Sequence, residues 1–330
     1  MDLRFQPLRA LALIVSVALP YALAAQTANE HGHEHTWTAS LTPDGQPNLQ
    51  GDWTNDTYTP LERPAALGDK ALYTEEEAAA FVKTRTDRLN GQAATDIHYD
   101  DAIWQAEKYD KIADRRTSLI DEPKNGRLPP LTEQATARLV KQRATQRANP
   151  TAAGAPSRSL AERCISWGNV GPPMMPPTYN ANIQIVQAKD IVIIVHEMMH
   201  DTRLVYLDGR AHPPANVQWL AGHSVGRWEG QTLVVDTTNF TPKTNFRGSP
   251  ANTRQDIFAT EHMHVVERFT PTAENAIHYA FTVEDPETWT TPWSGAMEIR
   301  RSEGPIYEYA CHEGNLGLAN ILRAVQLTRK

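Results

Sequence analysis

The segment Ile191-Val-Ile-Ile-Val-His196-Glu197-Met-Met-His200-Asp201 constrains the fold of this 330-residue chain more than any other stretch. It contains the pattern H-E-x-x-H. In zinc peptidases that pattern lies on a helix, where histidines four residues apart share one face and one Zn²⁺, and the Glu serves as general base. Here it follows five consecutive Ile/Val residues, which are stiff at χ1 and favour strands. Arg203-Leu-Val-Tyr-Leu-Asp-Gly209 then reads as a second strand ending in a turn. On a regular strand, residues four apart are separated by roughly 13 Å, at ~3.3 Å rise per residue. Zn–N bonds of about 2 Å cannot span that gap. The extended peptidase pattern also fails, because Arg203 stands where it wants Gly and Tyr206 where it wants a third His. The segment is expected to be a strand with a polar end.

The rest of the C-terminal half agrees. Ile183-Gln-Ile-Val186 precedes a turn at Ala188-Lys-Asp190. After Pro213-Pro214 come strand-like stretches at 217–220 and 224–228, and Glu229-Gly230 turns the chain into 232–240. Residues 264–269 and 276–284 flank another turn, and 296–301 with 306–310 read as a hairpin around Glu303-Gly304. The clearest alternation puts Ile277, Tyr279, Phe281 and Val283 on one face, with His278, Ala280, Thr282 and Glu284 on the other. Roughly eight to ten short strands in succession suggest an antiparallel up-and-down barrel of the lipocalin-like kind, with a β-sandwich as the alternative.

The N-terminal part is different. Residues 1–25 read as a secretory signal, with Arg4 and Arg9, an apolar stretch broken by Pro20, and Ala22-Leu23-Ala24 as the cleavage site. Residues 26–50 are polar and flexible in character, and their His31, His33 and His35 could hold a metal weakly. Residues 51–160 read as a helical and loop region packed on the barrel. Gly51-Asp-Trp53 begins its order, Thr74-Glu-Glu-Glu77 caps a helix through about Leu89, and further helices cover 99–109 and 132–148. Residues 150–160 look like a linker, 161–314 form the barrel, and 315–330 a closing helix. The chain is thus mainly β with a helical N-terminal part.

A net charge of -7 and the lack of a Lys/Arg run argue against nucleic-acid binding. No later stretch approaches the ~20 apolar residues of a membrane span, so a periplasmic or secreted protein is expected. The two cysteines, Cys164 and Cys311, then pair. On the chain-entropy account a bridge across so long a loop contributes about 4–5 kcal/mol at most.

Many segments carry a resemblance. They include Thr59-Pro-Leu-Glu-Arg-Pro64, Arg116-Thr-Ser-Leu-Ile120, Glu197-Met-Met-His-Asp201 and Leu207-Asp-Gly-Arg-Ala-His212. Others are Gly226-Arg-Trp-Glu-Gly230, Leu233-Val-Val-Asp-Thr-Thr-Asn-Phe240, Val283-Glu-Asp-Pro286 and Tyr307-Glu-Tyr-Ala-Cys-His-Glu-Gly314. In these the chain resembles a large, uncharacterised family of exported bacterial proteins. The resemblance spans most of the mature chain, implies one integrated unit, supplies no reaction, and centres on Glu-x-x-His-Asp rather than on both histidines.

The expected chemistry follows from the polar strand end. Glu197, His200 and Arg203 form the expected catalytic set, with Asp201 beside them, because a carboxylate orients an imidazole and raises its pKa for acid–base work. Arg203, Arg210 or Arg227 would hold a substrate carboxylate or an oxyanion. His212, Trp219, Glu267, Tyr279 and Trp289 complete the expected ligand contacts. Trp219, Trp228, Trp289 and Trp293 either line an apolar cavity or pack in the core. Glu267 and Arg268 point to opposite faces of one strand, so one of them faces inward and needs a partner. The expected function is binding of a small, largely apolar molecule, with metal-free lyase, isomerase or cyclase chemistry and no cofactor. The alternatives are a zinc hydrolase using His196, Glu197 and His200, and a binding protein without turnover.

Overall fold

The β-branched runs form strands, and the strands close on themselves. The computed structural model describes residues 37–90, 111, 114–148, 159–168, 170–177, 179–243, 245–246, 257–258 and 260–328. The strands are β1 (Gly51–Thr54), β2 (Ile120–Glu122), β3 (Asn182–Ala188), β4 (Ile191–His196), β5 (Thr202–Tyr206) and β6 (His223–Glu229). They continue as β7 (Thr232–Thr238), β8 (Asn245–Phe246), β9 (Ile257–Phe258), β10 (His264–Ala273), β11 (Ala276–Glu284) and β12 (Trp293–Arg301). The helices are α1 (Glu75–Asn90), α2 (Glu133–Ala148) and α3 (Leu316–Thr328). The barrel runs β1-β3-β4-β5-β6-β7-β10-β11-β12 and returns to β1, β2 adds to β12, and β8 pairs with β9 separately.

Closure depends on β1. Trp53 lies opposite Ile183 of β3 on one side and Arg301 of β12 on the other. A sandwich would leave those edges apart, so the barrel reading holds and the sandwich does not. Trp53 is buried, its indole N–H donates to the Leu49 carbonyl at 2.9 Å, and the Arg301 guanidinium covers the ring at 4.1 Å. The closing strand thus comes from the segment expected only to pack against the barrel.

Three expectations about the strands are corrected. The barrel is mixed, because β5 and β6 run parallel, with Val205 opposite Ser224 and Tyr206 opposite Val225. Parallel neighbours require a crossover, which residues 207–222 supply. Within that crossover 217–220 is not a strand; Trp219 makes a single bridge to Phe240. Residues 306–310 do not pair back on β12 either. The edges of β12 are taken by β11 on one side and by β1 and β2 on the other, which leaves no ladder for another strand.

The interior is filled. Ile277, Tyr279, Phe281 and Val283 all point inward and are buried, as their alternation predicts. They meet Ile194, Val205, Leu233, Phe269, Trp293 and Met297 in one continuous core, and each large apolar side chain so buried contributes about 1.5–3 kcal/mol. Gly295 lets β2 approach β12, since a Cβ there would lie 2.6 Å from the Leu119 carbonyl oxygen. The α1 capping box forms as read: Thr74 N–H donates to Glu77 Oε2 at 2.8 Å and Glu77 N–H to Thr74 Oγ1 at 3.2 Å. The Thr132 hydroxyl accepts from Ala135 N–H at the start of α2. The expected helix at 99–109, the signal segment, residues 26–36 and most of the linker lie outside the described residues. Cys164 and Cys311 form a disulfide, with Cα atoms 5.7 Å apart. Among the described residues no helix is long and apolar enough to cross a membrane.

Candidate functional site

The H-E-x-x-H segment begins as a strand and ends in a tight turn. Along β4, Val192, Ile194 and His196 point inward. Met199 and His200 then take left-handed backbone conformations, φ 62° and 43°, and Asp201 returns to extended geometry. His196 is buried while His200 is exposed, so the two histidines do not share the helical face of a zinc peptidase. Burial, with the charge of Arg203, lowers the His196 pKa to about 3, which keeps its imidazole neutral. The buried Glu197 carboxylate accepts from the side-chain amides of Asn180 and, at 2.8 Å, Asn182. Asp201 accepts from the Ser166 hydroxyl at 3.1 Å, and burial raises its pKa.

Arg203 leaves this rim altogether. Its side chain enters the barrel and forms a two-pronged ion pair with Glu267, at 2.7 and 3.1 Å, with exposures of only 5% and 0%. The Tyr279 hydroxyl donates to Glu267 at 2.8 Å and accepts from the Met174 backbone N–H at 2.8 Å. Glu267 is therefore the inward residue of the Glu267/Arg268 pair; Arg268 points out to Glu229. Glu197, His200 and Arg203 do not converge, and Glu267 and Tyr279 face a packed interior. Trp289 is also buried, edge-on to Trp293, and the exposed Arg227 pairs with Glu229.

A different set of polar groups gathers on the outer wall, where β5, β6, β7 and β10 run side by side. Asp236 of β7 points outward and bridges two histidines. His212 Nε2 lies 3.1 Å from Oδ1, and His264 Nε2 lies 3.0 Å from Oδ2. His212 Nδ1 lies 2.9 Å from His223 Nδ1. These contacts fix the neutral tautomers. With His212 Nε2–H donating to the carboxylate, its Nδ1 is an acceptor, so His223 Nδ1–H must donate to it. The lone pair of His223 Nε2 then remains for another partner; among the described residues nothing bonds it.

Aromatic rings bound this relay. The His223 ring stacks on Tyr206 at 5.4 Å and meets Trp219 at 5.6 Å. Trp219 is 43% exposed, so a face remains free to stack. Arg210 lies 3.8 Å above the Tyr206 ring and pairs with Asp208. The titrations diverge. Burial, then His212 and Arg210, lowers the His223 pKa, whereas the Asp236 hydrogen bond raises that of His264, aided by Glu284. Burial alone would raise Asp236, but the hydrogen bonds and charges of His264 and His212 outweigh it and hold the carboxyl below its ordinary range.

The crossover loop that carries His212 and Trp219 is held by Asn239, which is buried with φ 61°. Its side-chain amide donates to the carbonyls of Pro213, Pro214 and Val217 at 3.2, 3.1 and 2.9 Å. Gly222, φ 68°, precedes His223 where a Cβ would lie 2.6 Å from the Thr238 carbonyl oxygen. The sequence reading thus found Arg210, His212 and Trp219, but missed Tyr206, His223, Asp236, His264 and Asn239. The signal was phase: on β7, Asp236 alternates with the inward Val235 and Thr237, and His223 and His264 stand at the starts of neighbouring strands. Comparison of the chain with protein-family models, curated proteins and solved structures found no match.

Proposed function

We propose that this is an exported protein that binds a small, largely apolar molecule and transforms it by metal-free acid–base chemistry, on the outer wall of the barrel rather than in its interior. The observation that carries this reading is the Asp236–His212–His223 relay, which ends in an unshared imidazole nitrogen beside two aromatic rings. His223 Nε2 would take a proton from the bound molecule. The proton on His223 Nδ1 would pass to His212 Nδ1, and the resulting positive charge would sit against Asp236. Reversal of the relay would return the proton at another atom, which is the requirement of an isomerase or lyase step. His264, with its raised pKa, is the proton donor of the set, since sites that push two pKa values apart separate acid from base. Trp219 and Tyr206 supply a flat apolar wall, and Arg210 a cation for a carboxylate. The Leu207–His212, Gly226–Gly230 and Leu233–Phe240 segments behind the resemblance to exported bacterial proteins lie in or beside this wall.

Benzoate, a planar apolar ring with one carboxylate, is a suitable probe. In histidine-selective NMR it is expected to shift the His223 and His212 rings and the Trp219 indole, and to lose that effect in Asp236→Asn. His223 should titrate below and His264 above the ordinary imidazole range. Benzoate shifts confined to other residues, or a His223 titration indifferent to His212→Ala, would overturn the reading. Shifts without any change in proton exchange would leave a binding protein without turnover.

A further inference from the structure

His196, the first histidine of the H-E-x-x-H segment, lines a narrow cleft at the end of β4. Asn55, Val170, Met175, Asn180 and Met198 also line it. Asn55 follows the closing strand β1, and is 2% exposed; His196 is 6% exposed. Asn55 donates its amide N–H to the Met175 carbonyl at 3.3 Å, and its backbone N–H to the Ala181 carbonyl at 3.2 Å. Asn55 Oδ1 and His196 Nε2 are both buried and without a hydrogen-bond partner. Such groups in folded proteins are nearly always satisfied, by protein or by ordered water. The free volume of the cleft, about 10 Å³, matches one water-sized occupant. Val170, Met175 and Met198 form its apolar walls, and Asn180 is its remaining polar side chain.

We propose that this cleft is a binding site for one small hydrogen-bonding molecule, a single water, which accepts from the His196 imidazole and donates to Asn55 Oδ1. A neutral imidazole has one N–H donor and Asn55 Oδ1 is an acceptor, so a water is chemically complementary to the pair. The bridge would join the end of the closing strand β1 to the end of β4, which β3 separates in the sheet. It would also commit His196 to a structural role, at the turn where Glu197 is itself held by Asn180 and Asn182.

High-resolution diffraction combined with water–protein cross-relaxation NMR on the intact protein tests this. The expected result is one ordered water within hydrogen-bond distance of both Asn55 Oδ1 and a His196 ring nitrogen, with a water cross-peak to the His196 ring. In Asn55→Leu the cross-peak should disappear. If that variant does not fold, the wild-type density and cross-peak decide alone. A dry cleft in the wild type, a direct Asn55–His196 bond, or added Zn²⁺ captured by His196 would each overturn the proposal.

Discussion

The barrel carries two polar networks built from similar parts, one inside and one outside, and burial alone separates their roles. Inside, Arg203 and Glu267 are 5% and 0% exposed and Tyr279 is fully buried. There the effective dielectric is low, so removing either charge leaves its partner buried and uncompensated, which is costly. The Tyr279 hydroxyl, driven well up by burial and by Glu267, stays protonated and serves as a fixed donor. Outside, His212, Asp236 and His264 are 24%, 31% and 34% exposed. Water reaches them, and His264, its pKa raised by the Asp236 hydrogen bond, can exchange its proton with solvent near neutral pH. A buried charge network fixes a fold; a half-exposed one can exchange protons with a ligand.

The largest effect should come from breaking the inner pair. Glu267→Ala leaves the Arg203 charge buried and uncompensated, and is expected to cost about 3–5 kcal/mol in urea unfolding. Replacing both, Arg203→Met with Glu267→Leu, should recover much of that loss. A single variant costing less than about 1 kcal/mol would show that water reaches the inner network, and the contrast would collapse. Next comes His196, whose pKa of about 3 lies well below the 6.5 of an unfolded histidine. A depressed folded pKa means that the unfolded chain binds the proton first. Stability is therefore whole above pH ~6.5 and falls as pH drops through 3, by up to about 5 kcal/mol at ~1.4 kcal/mol per pKa unit. In His196→Phe this acid limb should flatten, as read from melts at successive pH values. An unchanged limb would place its origin in the carboxylates instead.

Local patterns made the inner face legible and long-range closure kept the outer one hidden. The period-two alternation of β11 named Tyr279 and Phe281 as interior, and opposite phases of Glu267 and Arg268 foretold one inward charge, because side-chain direction on a strand is set by counting. The capping box at Thr74 was equally local, and the cysteine pair, 147 residues apart, was legible because the chain has only two cysteines. By contrast, Gly51-Asp-Trp-Thr54 is too short and too polar to announce itself as the closing strand. The parallel pairing of β5 with β6 depends on where a crossover returns, which no periodicity encodes. The turn after His196 was hidden because Met199 and His200 adopt successive left-handed conformations, which are uncommon in residues other than glycine. The outer site draws its side chains from three strands and a loop, so only the folded register brings Asp236 to His212, His223 and His264.

On the outer side, Asn239→Gly preserves the left-handed backbone while removing the amide that holds Pro213, Pro214 and Val217. The expected cost is about 1–3 kcal/mol, the range for buried carbonyls that lose their donor. His212 and Trp219 resonances should broaden or shift while the Tyr279 and Glu267 signals stay in place. Equal disturbance of the inner network would mean that the two regions are not separable.

The smallest effect on stability and the sharpest on titration should come from Asp236→Asn. The raised pKa of His264 stabilises the fold below its ordinary 6.5, and that contribution is lost as pH rises through the raised value. The lowered pKa of Asp236 stabilises it above the ordinary 3.8, and that is lost as pH falls through the lowered value. Their joint contribution is therefore greatest between about pH 4 and 6.5, and the part-exposed geometry limits it to under about 1 kcal/mol. The substitution keeps the shape of the side chain but not its charge, so the His264 pKa should fall towards its ordinary value while the global melt barely moves. The neutral amide also ends the preference for His212 Nε2–H, since its oxygen or its nitrogen can face the ring. The His212–His223 hydrogen bond then loses its fixed direction, and ring nitrogen shifts of both histidines should report mixed tautomers. If His264 titrates unchanged in Asp236→Asn, the outer carboxylate does not organise its histidines, and the distinction between a proton-exchanging wall and a fixed interior fails at its centre.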